Sequence, residues 1–130
     1  MAYAQQSDIE DVFGTDNVAT WSQLDNDVTT ADTDRIARAI AWADAYINNR
    51  MRGLRWRIPI VGTEASVIVT DWSANLCGWW LQRPRGSTEE MVEAKARVDR
   101  EIDMYSAGTR QWDAGETDPQ PTAPVIVGAN

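Results

Sequence analysis

The chain has 130 residues, with 12 Lys and Arg against 20 Asp and Glu, no histidine, one cysteine and seven tryptophans. That length fits one domain, and a hydrophobic content of 43% can build a core that needs no disulfide. Without histidine there is no Ser-His-Asp or Cys-His nucleophile system, Cys77 alone makes neither an intramolecular disulfide nor a cysteine-based zinc site, and a net charge of -8 argues against gripping nucleic acid by bulk charge.

The opening MAYAQQSDIEDVF has neither a basic n-region nor an apolar h-region, so no secretory signal is expected. The most apolar stretch, Ala65 to Leu81, is broken by Ser66, Thr70, Asp71, Ser73 and Asn75, so no membrane span is expected either. The expectation is a soluble protein made in the cytoplasm.

Taken in chain order, the pattern predicts an all-α fold, a small bundle of about four to five helices. Ser7 with Glu10 reads as a capping box for a first short helix carrying Ile9, Val12 and Phe13, which Gly14 stops. A second short helix or turn covers Thr15 to Trp21, and the polar loop Ser22 to Thr30 follows. From about Ala31 to Arg50, Ile36, Ile40, Ala43, Ile47 and Met51 recur on one helical face, with Asp32 and Asp34 placed in the first turn. Gly53, Pro59 and Gly62 punctuate the linker after it.

From about Glu64 to Gln82, Val67, Ile68, Val69, Trp72, Leu76, Cys77, Trp79, Trp80 and Leu81 cover nearly all sides of a helix. Such a helix belongs at the centre of a bundle. A rival reading makes Ser66–Thr70 a strand on the strength of its β-branched run, but the length favours helix. After Gly86, Ser87 with Glu90 reads as a second capping box, and Met91, Ala94, Val98, Ile102 and Tyr105 form the buried stripe of a last helix. Glu93 and Arg97 on its outer face are spaced for an ion pair, and Gly108 ends it. The domain is thus expected over residues 1–110. Residues 111–130, rich in Pro and Gly, form a flexible tail.

Chemistry is scarce. Asp25, Asn26, Asp27, Asp32 and Asp34 invite comparison with a calcium loop, but the sixth position is Thr30 and the twelfth Ile36, where glycine and glutamate are needed. Glu89 and Glu90 are adjacent on a helix and diverge. No phosphate-binding, nucleophile-elbow or zinc-protease motif occurs. Cys77 reads as a small buried hydrophobe. No enzyme activity, cofactor or metal is expected.

Charge is more informative when divided along the chain. Residues 1–34 carry a net -8 with no base, residues 35–57 a net +5, and residues 58–130 a net -5. The belt Arg50, Arg52, Arg55 and Arg57, with Trp56 between, has three readings. It could bind nucleic acid, solvate a loop, or pair with carboxylates of another subunit. An acidic arm in the same chain makes the last the most economical, with Asp8, Asp11 and Asp16 as partners, because contacts between unlike patches build rings. Trp42, Trp72, Trp79 and Trp80 are assigned to core packing. Trp21, Trp56 and Trp112, at element ends or in loops, are the better interface candidates.

The order of features carries a resemblance. An entry Tyr3-Ala4 to Asp8-Ile9-Glu10 to Phe13-Gly14 precedes Arg35-Ile36-Ala37-Arg38-Ala39-Ile40-Ala41-Trp42-Ala43-Asp44-Ala45-Tyr46-Ile47. Then come a Pro-containing linker, an apolar helix, the break Gln82-Arg83-Pro84-Arg85 and a charged helix ending Tyr105-Ser106-Ala107-Gly108. This resembles the tailed-phage neck adaptors, also called head–tail connector or head-completion proteins, over about residues 1–108, with the tail as an addition. The resemblance implies a non-catalytic virion protein, assembled from the host cytoplasm as a ring, typically a dodecamer, beneath the portal protein. Such a ring extends the DNA channel without specific DNA binding and docks the next neck or tail-completion protein. It also implies that the C-terminal segment reaches the portal. Val125, Ile126 and Val127 could add a strand there, or simply form a free terminus. The competing function is an acidic helical DNA mimic that inhibits a nucleic-acid enzyme.

Overall fold

The computed structural model describes residues 2–23, 30–51, 58, 60, 62–108 and 110. The predicted all-α architecture is what it shows: α1 (Gln6–Phe13), α2 (Thr15–Ser22), α3 (Thr33–Met51), α4 (Thr63–Gln82), a 3-10 turn (Arg83–Arg85) and α5 (Glu89–Ala107), with no strand among the described residues. The β-branched run Val67–Val69 lies inside α4, as length favoured; Val69 is buried and Val67 exposed.

The caps differ from the sequence expectation in a consistent way. α1 begins one residue before Ser7, and the backbone N–H of Gln5 donates to Asp8 at 2.8 Å, so Asp8 rather than Glu10 closes the first turn. Asp32 does not lie in the first turn of α3 but caps it, accepting from the backbone N–H groups of Asp34 and Arg35 at 3.1 Å each. α5 is capped by Thr88, whose hydroxyl accepts from Met91 N–H at 3.2 Å, one position beyond the expected Ser87. In each case a neighbouring acceptor of similar chemistry takes the orphan N–H groups, which spacing alone does not discriminate. Gly14, at φ 92°, separates α1 from α2 in a conformation a side chain would oppose.

α4 is the centre. Its buried residues run all round the helix, from Ala65, Val69 and Trp72 through Leu76, Cys77 and Gly78 to Leu81 and Gln82. α1 and α2 pack on one side of it, α3 and α5 on another, and α3 also packs on α5. The fully buried Ile9, Val18, Ile36, Ile47, Met51, Val98 and Ile102 are the contributions of the surrounding helices to one core. Trp72 is wholly buried, yet its indole N–H reaches Glu101 of α5 at 2.9 Å and its ring meets Tyr105 edge-on at 5.5 Å.

Two details lock the short N-terminal elements onto this centre. Tyr3 donates its backbone N–H to Asp44 at 3.1 Å and its hydroxyl to Asn48, while that hydroxyl accepts from Ile60 N–H at 2.9 Å and its carbonyl accepts from Thr70 at 2.8 Å. One residue thereby joins α3, the linker and α4. Burial pushes the Asp44 carboxyl above its usual range, and the Tyr3 N–H bond opposes this. The other detail is the seat of α1. The ring of Phe13 lies so close to α4 that a Cβ placed on Gly78 would be 2.2 Å from it.

Gly78→Ala should therefore destabilise the fold by about 1–3 kcal/mol, because the Phe13 ring must shift to admit the methyl group. Urea denaturation checks this, and Phe13→Ala in the Gly78→Ala background should recover part of the difference through relieved overpacking. A neutral Gly78→Ala would show that α1 is not seated on α4 as described.

Candidate functional site

α3 and α4 run antiparallel: Arg35 at the start of α3 reaches the end of α4, while Tyr3 bridges the end of α3 to the start of α4. This brings the aromatic residues of both helices, and the cations of three elements, onto one face. Arg35 lies over the Trp80 ring at 4.8 Å, and Arg83 lies over Trp80 and Trp79 at 5.6 Å each. Trp79 stacks on Trp42 at 5.6 Å, and Trp42 stacks on Tyr46 at 5.1 Å. Lys95 sits over Trp79 at 4.9 Å and over Tyr46 at 5.2 Å, and Arg50 closes the series over Tyr46 at 5.4 Å. The result is a ladder of alternating rings and cations. Trp42, Trp79 and Trp80, expected in the core, are half-buried instead, with cations over Trp79 and Trp80 and aromatic rings on Trp42; of the four, Trp72 is fully enclosed.

The two ends of the ladder differ electrostatically. At the α3–α5 end every cation meets a carboxylate of its own chain. Tyr46 donates to Asp99 at 2.7 Å, Lys95 donates to Asp99 at 3.0 Å, and Arg50 pairs with Asp103 and lies 3.5 Å from Asp99. Burial opposes the charges of Arg50 and Lys95, but the bonds to Asp103 and Asp99 outweigh it and hold both groups above their ordinary values. Further along α5, Arg97 pairs with Glu101 at 3.0 Å and with Asp71 of α4 at 3.4 Å, not with the expected Glu93. Asp71 offers Arg97 an inter-helix partner, which one helix's spacing does not reveal.

At the other end Arg35 and Arg83 both lie over Trp80, with Arg38 and Arg85 on the same elements. Arg35 is only 8% exposed; it donates to the Leu81 carbonyl at 3.3 Å, and its Nε has no hydrogen-bond partner among the described residues. Burial lowers its pKa; Asp32 opposes this, while Arg38, Arg83 and Arg85 add to it. Arg38 follows Arg35 by one turn of α3 and Arg85 follows Arg83 in the 3-10 turn, while Arg35 reaches the end of α4 that this turn continues, so the four arginines share one end of the bundle. Arg38, Arg83 and Arg85 are exposed, and Arg85 also donates to the carbonyl of Gln23. No such cluster is visible in the linear sequence, because Arg35 and Arg38 lie nearly fifty positions from Arg83 and Arg85. The readable signal was an i, i+3 arginine pair opening α3 and an Arg-Pro-Arg closing an antiparallel α4.

The residues singled out from sequence fall as follows. Arg50 is engaged inside its own subunit. Asp11 and Asp16 are exposed on α1 and in the first turn of α2, while Asp8 holds the start of α1. Trp21 is half-buried, edge-on to Phe13 at 5.3 Å. Arg52, Arg55, Trp56, Arg57, Trp112 and the segment Val125, Ile126, Val127 lie outside the described residues. Cys77 is enclosed, and burial pushes its thiol up to about 12, too high to supply a thiolate near neutral pH. Among the described residues, no group of three carboxylates or thiols is placed to hold a metal, and no helix is long and apolar enough to cross a membrane.

Asp99→Asn should lower stability by about 1 kcal/mol at neutral pH, since Lys95 and Tyr46 lose a charged acceptor. Because Lys95 titrates higher in the folded state, this stabilisation is fully present below the ordinary lysine pKa and is lost as pH rises through the folded value. The stability difference between the two proteins should shrink as pH rises through the folded lysine value, down to the part that Arg50 contributes. A difference that does not shrink in denaturation curves across that range would place the stabilisation elsewhere.

The family model described as Bacteriophage Mu, Gp36 matches residues 3–127. A comparison with curated proteins finds no match.

Proposed function

The chain belongs to the bacteriophage Mu Gp36 family, and from that premise we propose that it is a structural head–tail connector subunit of a tailed-phage neck. Copies form a ring beneath the portal, extend the DNA channel and present a docking surface to the next neck or tail-completion protein. The observation that carries this reading is the match itself, which spans the helical body and continues past Gly108 into the tail. The tail, taken from sequence as an addition, is thus part of the length that the family model covers.

Physical features support the assignment. A small all-α unit with a central buried helix is a rigid spacer, and its charge is sorted: α1 and α2 carry Asp8, Glu10, Asp11 and Asp16 with no base. Acids turned to a channel repel phosphates and let DNA slide. A DNA mimic would instead want its acids spread along one face, whereas here they concentrate in residues 8–34, ahead of a net +5 stretch. In this reading the protein has no catalytic role, resides in the virion neck, and enters it from the host cytoplasm.

Phage lacking this chain should accumulate filled heads that fail to join tails, and antibody against it should label the neck of complete particles in electron micrographs. Heads and tails that join normally without it would contradict the assignment. We assign Val125, Ile126 and Val127 to the portal contact. Removing residues 113–130 should leave helix content unchanged by circular dichroism and weaken retention on immobilised portal protein. Unimpaired retention would make the segment an ordinary terminus.

A further inference from the structure

We propose that the four-arginine cluster at the Trp80 end of the bundle receives the acidic α1–α2 surface of a second copy of this chain. The inference deepens the connector assignment and rests on it for the closure of a ring; the contact itself stands on the charge distribution.

The described cations are not all used in the same way. Arg50, Lys95 and Arg97 each meet carboxylates of their own subunit. Arg38 and Arg83 meet none among the described residues, although acids outnumber bases by 20 to 12 in the whole chain. Acids outside these pairs also occur at Asp34, Glu89, Glu90 and Glu93, but α1 and α2 carry theirs with no base, and Asp11 and Asp16 are exposed and in none of these ion pairs. Unlike charges are therefore displayed on one subunit but not spent within it.

The cluster is also built to receive carboxylates. Arg83 lies over both Trp79 and Trp80 and is exposed, and its planar guanidinium can bind a carboxylate through two bonds. Pro84 fixes the backbone between Arg83 and Arg85 within the 3-10 turn. Arg35, more than nine-tenths buried with an unpartnered Nε, adds positive potential from beneath. A contact between unlike patches is heterologous, so each copy offers one face of each kind, and successive copies continue in one direction until they close. Nucleic acid is the less fitting occupant, because a duplex would approach four arginines on a chain whose excess charge is negative.

The test is sedimentation velocity of the purified full-length chain over a concentration series, with Arg38→Glu/Arg83→Glu, Asp11→Lys/Asp16→Lys and the chain carrying all four changes. Each double variant should self-associate at least about tenfold more weakly than wild type, roughly 1.4 kcal/mol. An equimolar mixture of the two double variants should recover association, since both the native and the reversed contacts form in alternation. The fourfold variant should recover it alone. Circular dichroism melting verifies folding, and Arg38→Glu alone, at an exposed site, should weaken association in the same direction.

A wild-type chain that stays monomeric at every concentration, double variants that associate like wild type, or a mixture without recovery would each overturn the proposal. So would duplex DNA bound by wild type and lost in Arg38→Glu/Arg83→Glu while self-association is unchanged. Charge-reversal recovery in a protein absent from the neck would overturn the connector assignment and leave this contact standing. A neck protein whose rings ignore the reversals would do the opposite.

Discussion

The burial of α4 is the constraint on which the molecule depends. A helix of twenty residues with apolar groups on all sides cannot be covered by a single neighbour, so it needs helices on several faces at once. The short α1 and α2 cover one side, with Gly78 cut back to admit Phe13, and the long α3 and α5 cover another. Tyr3 then ties the chain's beginning to α3, the linker and α4 by four hydrogen bonds, which keeps the acidic segment attached to a rigid frame. Any use of α1 and α2 as a contact surface inherits its precision from that attachment.

The half-buried aromatic residues translate this packing into electrostatics. An indole facing water on one side is a poor end to a core, and Trp79 and Trp80 are each covered by cations, worth roughly 0.5–1 kcal/mol where exposed and more where water is excluded. Arginine stems also shield apolar surface while their charged heads remain wetted. At the α5 end carboxylates complete the network and weld α3 to α5. At the Trp80 end Arg38 and Arg83 meet no carboxylate among the described residues, and positive charge is left exposed on a negative protein. That asymmetry is what converts a packing solution into a directional surface.

Helical periodicity was sufficient to locate all the helices, because the buried stripes of α3 and α5 and the all-round apolarity of α4 are properties of single segments. What lay between segments was not legible. The caps at Asp8, Asp32 and Thr88 were displaced by one or more positions, since Ser, Thr, Asp and Glu are interchangeable acceptors at a helix start. Arg97 turned from Glu93 to Glu101 and Asp71 because α4 supplies a second carboxylate. The arginine belt drew attention to residues 50–57, where Arg50 serves its own subunit, whereas the described cluster is assembled by Arg35, Arg38, Arg83 and Arg85. Its formation requires knowing that α3 and α4 are antiparallel. Segregation of charge along the chain, by contrast, was plain from the sequence, and its spatial consequence is the acidic α1–α2 surface.

The central claim is that copies of this subunit meet through opposite charges, the acids of α1 and α2 on one and the arginine cluster on the next. Its most direct measurement is the salt dependence of wild-type self-association by sedimentation equilibrium, from low ionic strength to about 1 M, where the Debye length falls to about 3 Å. The account predicts that association weakens steadily as salt rises. Association that is unchanged or strengthened by salt would mean that apolar surface joins the copies, and would contradict it.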